Sequence, residues 1–169
     1  MDKPAWELTT KTGLKLIVRP ADEDADAVLD DLFHHVREED LCFRFLTGRH
    51  TVSKEQLQAM THIDHKNTET YIAFVEGTRV PIATAMLARV PGTQRGEVAI
   101  SVHADFKHYG IGWELLAFTA RQAKGKGLQS IESIESRANL EAIEVEKNMG
   151  FTTQPYAGDA SLVLVSKQL

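Results

Sequence analysis

Apolar residues recur along this chain with two spacings, one that suits strands and one that suits helices. Residues 14–18 (LKLIV) form a β-branched run closed by Arg19-Pro20 and predict a first strand. Asp22 then stands where an N-cap belongs. Val28, Leu32 and Val36 follow at four-residue intervals with Leu29 and Phe33 beside them, predicting an amphipathic helix of about four turns. Residues 41–46 (LCFRFL) are apolar with no clear period. Ser53 and Gln56 have the spacing of a capping box and predict a helix through Leu57 and Met60. Residues 70–76 (TYIAFVE) and 81–90 (PIATAMLARV), joined tightly at Gly77, read as a β-hairpin. After the Pro91-Gly92 break, residues 97–102 (EVAISV) give another strand. A long helix over 111–124 has Ile111, Leu115 and Phe118 on its face, beside Leu116, Ala120 and Ala123, and stops at Gly125-Lys126-Gly127. Residues 130–135 (SIESIE) predict a strand that is apolar only at Ile131 and Ile134. Asn139 caps a last helix, with Ala142, Val145 and Met149 on its face and Gly150 at its end, and residues 161–166 (SLVLVS) predict a closing strand.

The order β-α-α-β-β-β-α-β-α-β puts hairpins in the middle and right-handed β-α-β crossovers later. It predicts an α/β (α+β) fold, a mixed central β-sheet of about six to seven strands with helices on both faces. The chain has 169 residues without internal repeats, low-complexity tracts or linkers, so a single domain over 1–169 is expected. With 24 acidic and 19 basic residues, the net charge of −5 argues against a nucleic-acid partner. Cys42 stands alone, so no internal disulfide forms. No run approaches the ~18 apolar residues of a membrane span, and MDKPAWELTT lacks the apolar stretch of a leader. The expected compartment is the cytoplasm, with no membrane partner.

The strongest chemical signal follows the strand at 97–102. There Lys107-His108-Tyr109-Gly110-Ile111-Gly112 runs into a helix. Glycines let a backbone approach a ligand closely, and the free N–H groups of a helix start bind anions, so a phosphate or pyrophosphate is the natural guest. A plain strand-to-helix turn is the alternative. The Rossmann fingerprint fails because Leu115 stands where a third glycine or alanine belongs, although Glu132 occupies a suitable place for a ribose ligand. No Walker A loop is present.

Residues 97–151 resemble the core of the GCN5-related N-acetyltransferase (GNAT) superfamily. Its acetyl-CoA motif, Gln/Arg-x-x-Gly-x-Gly/Ala, is matched by Lys107 through Gly112. Its second marker, an asparagine, a helix and Gly-Phe, is matched by Asn139 through Gly150-Phe151. The resemblance implies the GNAT fold and transfer of an acetyl group from acetyl-CoA to an amine. At finer grain, Arg44-Phe45, Thr61-His62-Ile63-Asp64 and Glu97-Val98-Ala99 resemble the catalytic domain of bacterial protein lysine acetyltransferases of the Pat type, which acetylate acyl-CoA synthetases.

By that resemblance, Ile100, Ser101 and Val102 lend main-chain contacts to the pantetheine arm. Lys107, His108, Tyr109, Gly110, Ile111 and Gly112 hold the pyrophosphate, and Asn139 lies near the pantetheine and the leaving sulfur. Glu97 is the candidate general base, with an exposed edge carboxylate as the alternative. The preferred acceptor is a protein lysine. A small-molecule amine is the rival acceptor, and a non-catalytic acetyl-CoA-binding regulatory module is the rival of another class. A monomer or homodimer is expected.

Two positions depart from the pattern. Lys107 keeps a positive charge but lacks the planar fork of arginine. Glu146 stands where many members carry a tyrosine that protonates the departing thiolate. It is read here as a solvated helix-face residue, the alternative being a carboxyl whose pKa burial raises. His62-x-x-His65 with Asp64 resembles half a metal site, but no metal is expected. Cys42 and Trp113 are read as packing residues. The acids of the first helix, Asp22, Glu23, Asp24, Asp26, Asp30 and Asp31, and then Glu38, Glu39 and Asp40, are expected to border the acceptor side.

Overall fold

A computed structural model describes residues 3–46 and 51–169. The first strands are β1 (Trp6–Thr9) and β2 (Lys15–Pro20), followed by the helices α1 (Asp26–Phe33), α2 (Glu38–Phe45) and α3 (Lys54–Thr61). Then come β3 (Thr68–Val75), β4 (Pro81–Arg89), β5 (Arg95–Val102), α4 (Ile111–Gly125), β6 (Ser130–Ser136), α5 (Leu140–Asn148), β7 (Thr152–Pro155) and β8 (Leu162–Gln168). The strands form one sheet in the order β1-β2-β3-β4-β5-β6-β8-β7. Only the β5–β6 pair is parallel, as the β-α-β crossover through α4 requires.

The mixed sheet with helices on both faces is as expected, but among the described residues it has eight strands rather than six or seven. The two additional strands are short edge strands. β1 alternates Trp6 and Leu8 with charged or polar residues over only four positions, and β7 is exposed throughout, so neither has an apolar run to announce it. The ambiguous segment at 41–46 belongs to a helix, α2, which a Leu46 in the left-handed region ends. Asp22 caps a single 3-10 turn that leads into α1, and α1 ends at Phe33, shorter than four turns. The capping box is present, with Ser53 Oγ accepting from Gln56 N at 3.1 Å and Ser53 N donating to Gln56 Oε1 at 2.8 Å.

The two faces follow from the alternation of side chains along β3 and β4. Tyr71, Ala73, Ala83 and Ala85 face α4, where Ile111, Leu115 and Phe118 close a core with Leu16 and Val18. Ile72, Phe74 and Met86 face α1–α3, where Leu29, Leu32, Phe33, Leu57 and Met60 form a second core. Small alanines on the α4 side make room for large rings there: Trp6, Tyr71 and Phe118 meet edge to face at centroid distances of 5.0–5.9 Å. A third core joins the far end of α4 to β5, β6, β8 and the Ile143 and Met149 side of α5. No helix among the described residues is long and apolar enough to cross a membrane.

Candidate active site

β5 and β6 are paired over only three residues, Arg95↔Ser130, Gly96↔Ile131 and Glu97↔Glu132. Beyond Glu97 they part, while the outer edge of β5 stays bonded to β4 as far as Val102 and that of β6 to β8 as far as Ser136. The inner edges of 98–102 and 133–136 therefore face each other without a strand between them. A cavity of about 550 Å³ fills the gap, walled by these strands, α2, the start of α4 and α5. An unpaired strand edge offers main-chain donors and acceptors to any extended chain carrying amides.

The start of α4 forms one end of this cleft. Gly110 at the N-cap has φ +80° and no side chain caps the helix, so its first N–H groups are free. A Cβ on Gly112 would have no neighbour within 4 Å, which leaves open space above those groups. His108 also adopts the left-handed region, at φ 70°, uncommon outside glycine. Free donors, a helix N-terminus, room for a bulky anion and a free strand edge together fit the phosphates and amide-bearing arm of acetyl-CoA.

The structure brings nearly all of the expected site residues to this cleft. Glu97, Ile100, Ser101, Val102, Lys107, His108, Gly110, Ile111, Gly112 and Asn139 line it. Tyr109 does not. It is turned outward, its ring tilted against Phe106 at 6.1 Å, and its carbonyl accepts from Thr12 Oγ1 at 2.9 Å. Lys107 lines the cleft but its ammonium does not lie free toward the loop. Lys107 Nζ donates to Asp40 Oδ2 at 2.8 Å and to Glu141 Oε2 at 2.9 Å, tying α2 to α5 across the mouth. Asn139 both caps α5, accepting from Ala142 N at 3.5 Å, and donates to Glu135 Oε2 at 3.3 Å.

The charged wall of the cleft is richer than the sequence suggested. Arg44 reaches in from α2. Burial lowers its pKa, and the charges of Glu97 and Glu135 oppose that. Its Nε is buried without a hydrogen-bond partner, and Nη2 meets Met86 Sδ at 3.7 Å. Glu135 is held at both oxygens, accepting from Ser133 Oγ at 2.8 Å as well as from Asn139. Glu146 is the buried residue of α5, only 5% exposed, and its Oε1 has no hydrogen-bond partner. The solvated reading of Glu146 is thus incorrect. Burial, then the charge of Glu135 and a side-chain hydrogen bond with it, push the Glu146 pKa up to about 9.

Other expectations are also corrected. The acids of α1 do not line the cleft, and of the run that opens α2 only Asp40 does. Trp113 is not simply packed, because it lines the cleft with Lys11 Nζ 4.1 Å above its ring. Cys42 is half-buried. Glu132 pairs with Arg95 at 3.0 Å and is absent from the cleft wall, so it is no ribose ligand. His65 meets Glu69 at 2.7 Å and His62 meets Thr61 Oγ1 at 3.0 Å. Among the described residues no three His, Cys, Asp or Glu gather to hold a metal ion.

With this geometry in view, the sequence profile of the Acetyltransferase (GNAT) family matches residues 30–151. The chain belongs to the GNAT acetyltransferase family. It is an acyltransferase of the kind that moves an acetyl group from acetyl-CoA to an amine. Solved structures agree on the fold. The GNAT domain of S. lividans PAT superposes with a TM-score of 0.90 at 22% identity, covering 99% of this chain and 100% of that one. A ribosomal-protein-S5-alanine acetyltransferase from Vibrio fischeri gives 0.73 at 16% identity, covering 98% and 96%. A cAMP-binding acyltransferase from Mycobacterium smegmatis gives 0.65 at 17% identity, covering 98% of this chain but 47% of that protein, so the likeness spans about half of its length.

Proposed function

We propose that this GNAT protein acetylates a lysine side chain of another protein, by direct attack of the amine on the thioester with Glu97 as general base. The observation that carries the reading is the position of Glu97. It is the last residue of β5 paired to β6, exposed, and lines the cleft at the point where the strands part. An arriving lysine is an ammonium ion with an ordinary pKa of ~10.4, so it must lose a proton before it attacks. A carboxylate at that point accepts it directly or through one water. The nitrogen lone pair then adds to the carbonyl carbon, and the oxyanion that forms needs donors, which the free inner edge of β5 supplies.

The wall chemistry supports a cationic acceptor. Glu97, Glu135 and Glu144 line the cleft, and its mouth carries Asp40 and Glu141. The likeness to the S. lividans PAT domain supports a protein as the acceptor. The start of α4 holds the pyrophosphate, and Ile100, Ser101 and Val102 hold the pantetheine arm.

The test is release of free CoA thiol from acetyl-CoA in the presence of lysine peptides, intact acyl-CoA synthetases, polyamines and amino acids. Wild type should turn over with the peptides and synthetases, and Glu97→Gln should lower kcat/KM about a hundredfold, the usual scale of a general base, with acetyl-CoA binding unchanged. Faster turnover of polyamines or amino acids would establish a small-molecule acceptor instead. Binding of acetyl-CoA without thiol release for any amine would establish a regulatory module.

A further inference from the structure

We infer that Lys11, on the turn between β1 and β2, binds a phosphate of acetyl-CoA. The inference rests on the reading above, in which the start of α4 holds the pyrophosphate, and adds to it a cation from a hairpin remote in sequence.

The hydrogen bonds of the turn fix where the hairpin stands. β1 and β2 pair from Trp6↔Val18 to Thr9↔Lys15. Beyond Thr9 the turn is closed on itself: Thr10 N donates to Leu14 O at 2.9 Å, Gly13 N to Thr10 O at 2.9 Å and Leu14 N to Thr10 Oγ1 at 3.1 Å. Gly13 takes φ +87°, a conformation that costs glycine little. The closed turn leans on the loop at 107–112. Thr12 Oγ1 donates to Tyr109 O at 2.9 Å, and a Cβ on Gly110 would come within 3.8 Å of Thr10 Cβ and 3.9 Å of Lys11 N. The backbone of Lys11 is therefore held beside the N-cap of α4.

The side chain continues in the same direction. Lys11 Nζ lies 4.1 Å from the centroid of the Trp113 ring, an ammonium over an aromatic face. Trp113 is the third residue of α4. The first bond within that helix runs from Glu114 N to Gly110 O at 3.1 Å, so the N–H of Trp113 is one of the free donors. Helix side chains lean toward the N-terminus of their helix, which carries this ring and the ammonium on it over the open turn. The ring lines the cleft, and Lys11 stands just outside the lining, exposed. A ligand that leaves the cleft past the start of α4 meets the ammonium as it emerges. The ring covers one side of that ammonium and leaves N–H donors for an anion.

The neighbouring charges single Lys11 out. Lys107 is bound to Asp40 and Glu141. Arg44 acts on Glu97 and Glu135. Among the described residues no carboxylate pairs with Lys11. Glu114, the acid in the first turn of α4, does not line the cleft. The helix start supplies main-chain donors and a partial positive charge, and a full charge beside it complements a phosphate dianion or pyrophosphate.

The experiment is calorimetric titration of wild type, Lys11→Met and Lys11→Arg with CoA and with dephospho-CoA, each at low and high salt. Lys11→Met keeps an apolar stem on the Trp113 ring and removes the charge, so Tm should be unchanged. It should weaken CoA binding about tenfold at low salt, and the loss should shrink as salt rises. Lys11→Arg should bind CoA nearly as wild type does. The same loss with dephospho-CoA identifies the pyrophosphate as the partner, and its disappearance there identifies the 3′-phosphate. CoA affinity in Lys11→Met within about twofold of wild type at low salt would overturn the inference while leaving the acetyl-transfer reading intact. So would a loss that salt does not change, which would mean packing alone. Wild type that binds no CoA would overturn both.

Discussion

A Cβ at Gly96 would lie 2.8 Å from Leu128 Cδ1 and 2.9 Å from Leu87 Cδ1. Gly96 pairs with Ile131 in the short stretch that holds β5 to β6, and the two leucines pack into the space its missing side chain leaves. Gly96→Ala should therefore destabilise the fold by about 1–3 kcal/mol, the usual cost of overpacking a core, measured by denaturant unfolding. No alternation of apolar residues announces such a position, because the pressure on it comes from strands and loops distant in sequence. Glu146 is a different case. Ala142, Val145, Glu146 and Met149 have the i, i+3, i+4, i+7 spacing of one helix stripe, so its burial was present in the pattern. The reading of a charged residue as solvated overrode the spacing. Arg44 and Glu135 were legible only as residue types. Their meeting depends on how α2 crosses the parted strands, which local pattern does not encode.

At the scale of elements, the polar strand is where the site is. β6 reads SIESIES, with few apolar positions, because Ser133 and Glu135 line a cleft instead of packing against a layer. Most long elements were legible from their period, and the acetyl-CoA loop from its glycines. The short edge strands β1 and β7 were not, since four residues carry too little alternation to stand out from loop. The helix starts yield two contrasting predictions. Gly112 has a Cβ direction open to the cleft and an ordinary φ, so Gly112→Ala should fold normally and show an unchanged Tm. The added methyl would crowd the free N–H groups of α4, weakening acetyl-CoA binding about tenfold or more by calorimetric titration. α3 is the opposite case, since its residues do not line the cleft. Ser53→Ala removes its capping box and should cost about 1 kcal/mol in unfolding free energy, with KM for acetyl-CoA unchanged. An altered KM would show that α3 does more than support the second core.

Over the whole molecule the acid surplus divides into two groups with opposite effects on stability. Some acids are used structurally. Asp22 caps a turn, Asp30 and Asp31 lie within 4 Å of His34 and His35, and Asp26 accepts from Thr61 Oγ1. Three backbone N–H groups hold Asp64 down to a pKa of about 2. The hydrogen bond and charge of Lys107 lower the pKa of Glu141. For Asp40, burial is outweighed by its bonds to Arg37 and Lys107, and its pKa is lowered too. Asp40, Asp64 and Glu141 therefore favour the fold above the ordinary carboxylate range, and their contribution is lost as the pH falls below it. His103, stacked on His35 at 4.8 Å, has its pKa lowered by burial first and by the His35 charge second. It takes up a proton more readily in the unfolded chain, so stability also falls as the pH drops below its ordinary value of ~6.5. Glu146 works the other way. Its carboxyl stays protonated in the fold up to about 9 but ionises at the usual value in the unfolded chain, so the folded state binds the extra proton throughout that interval. Stability then decreases as the pH rises through it. Below ~6.5 the lowered pKa of His103 works against the slope of Glu146, and that opposition ends as the pH rises above it. Wild type should therefore show a decline in stability of up to ~1.4 kcal/mol per pH unit between pH 7 and pH 8.5. In Glu146→Gln the decline should vanish, and the variant should be more stable than wild type at pH 8.5. Thermal and denaturant unfolding across that range check this directly, and a wild-type profile that is flat from pH 7 to pH 8.5 would show that Glu146 is ionised in the fold.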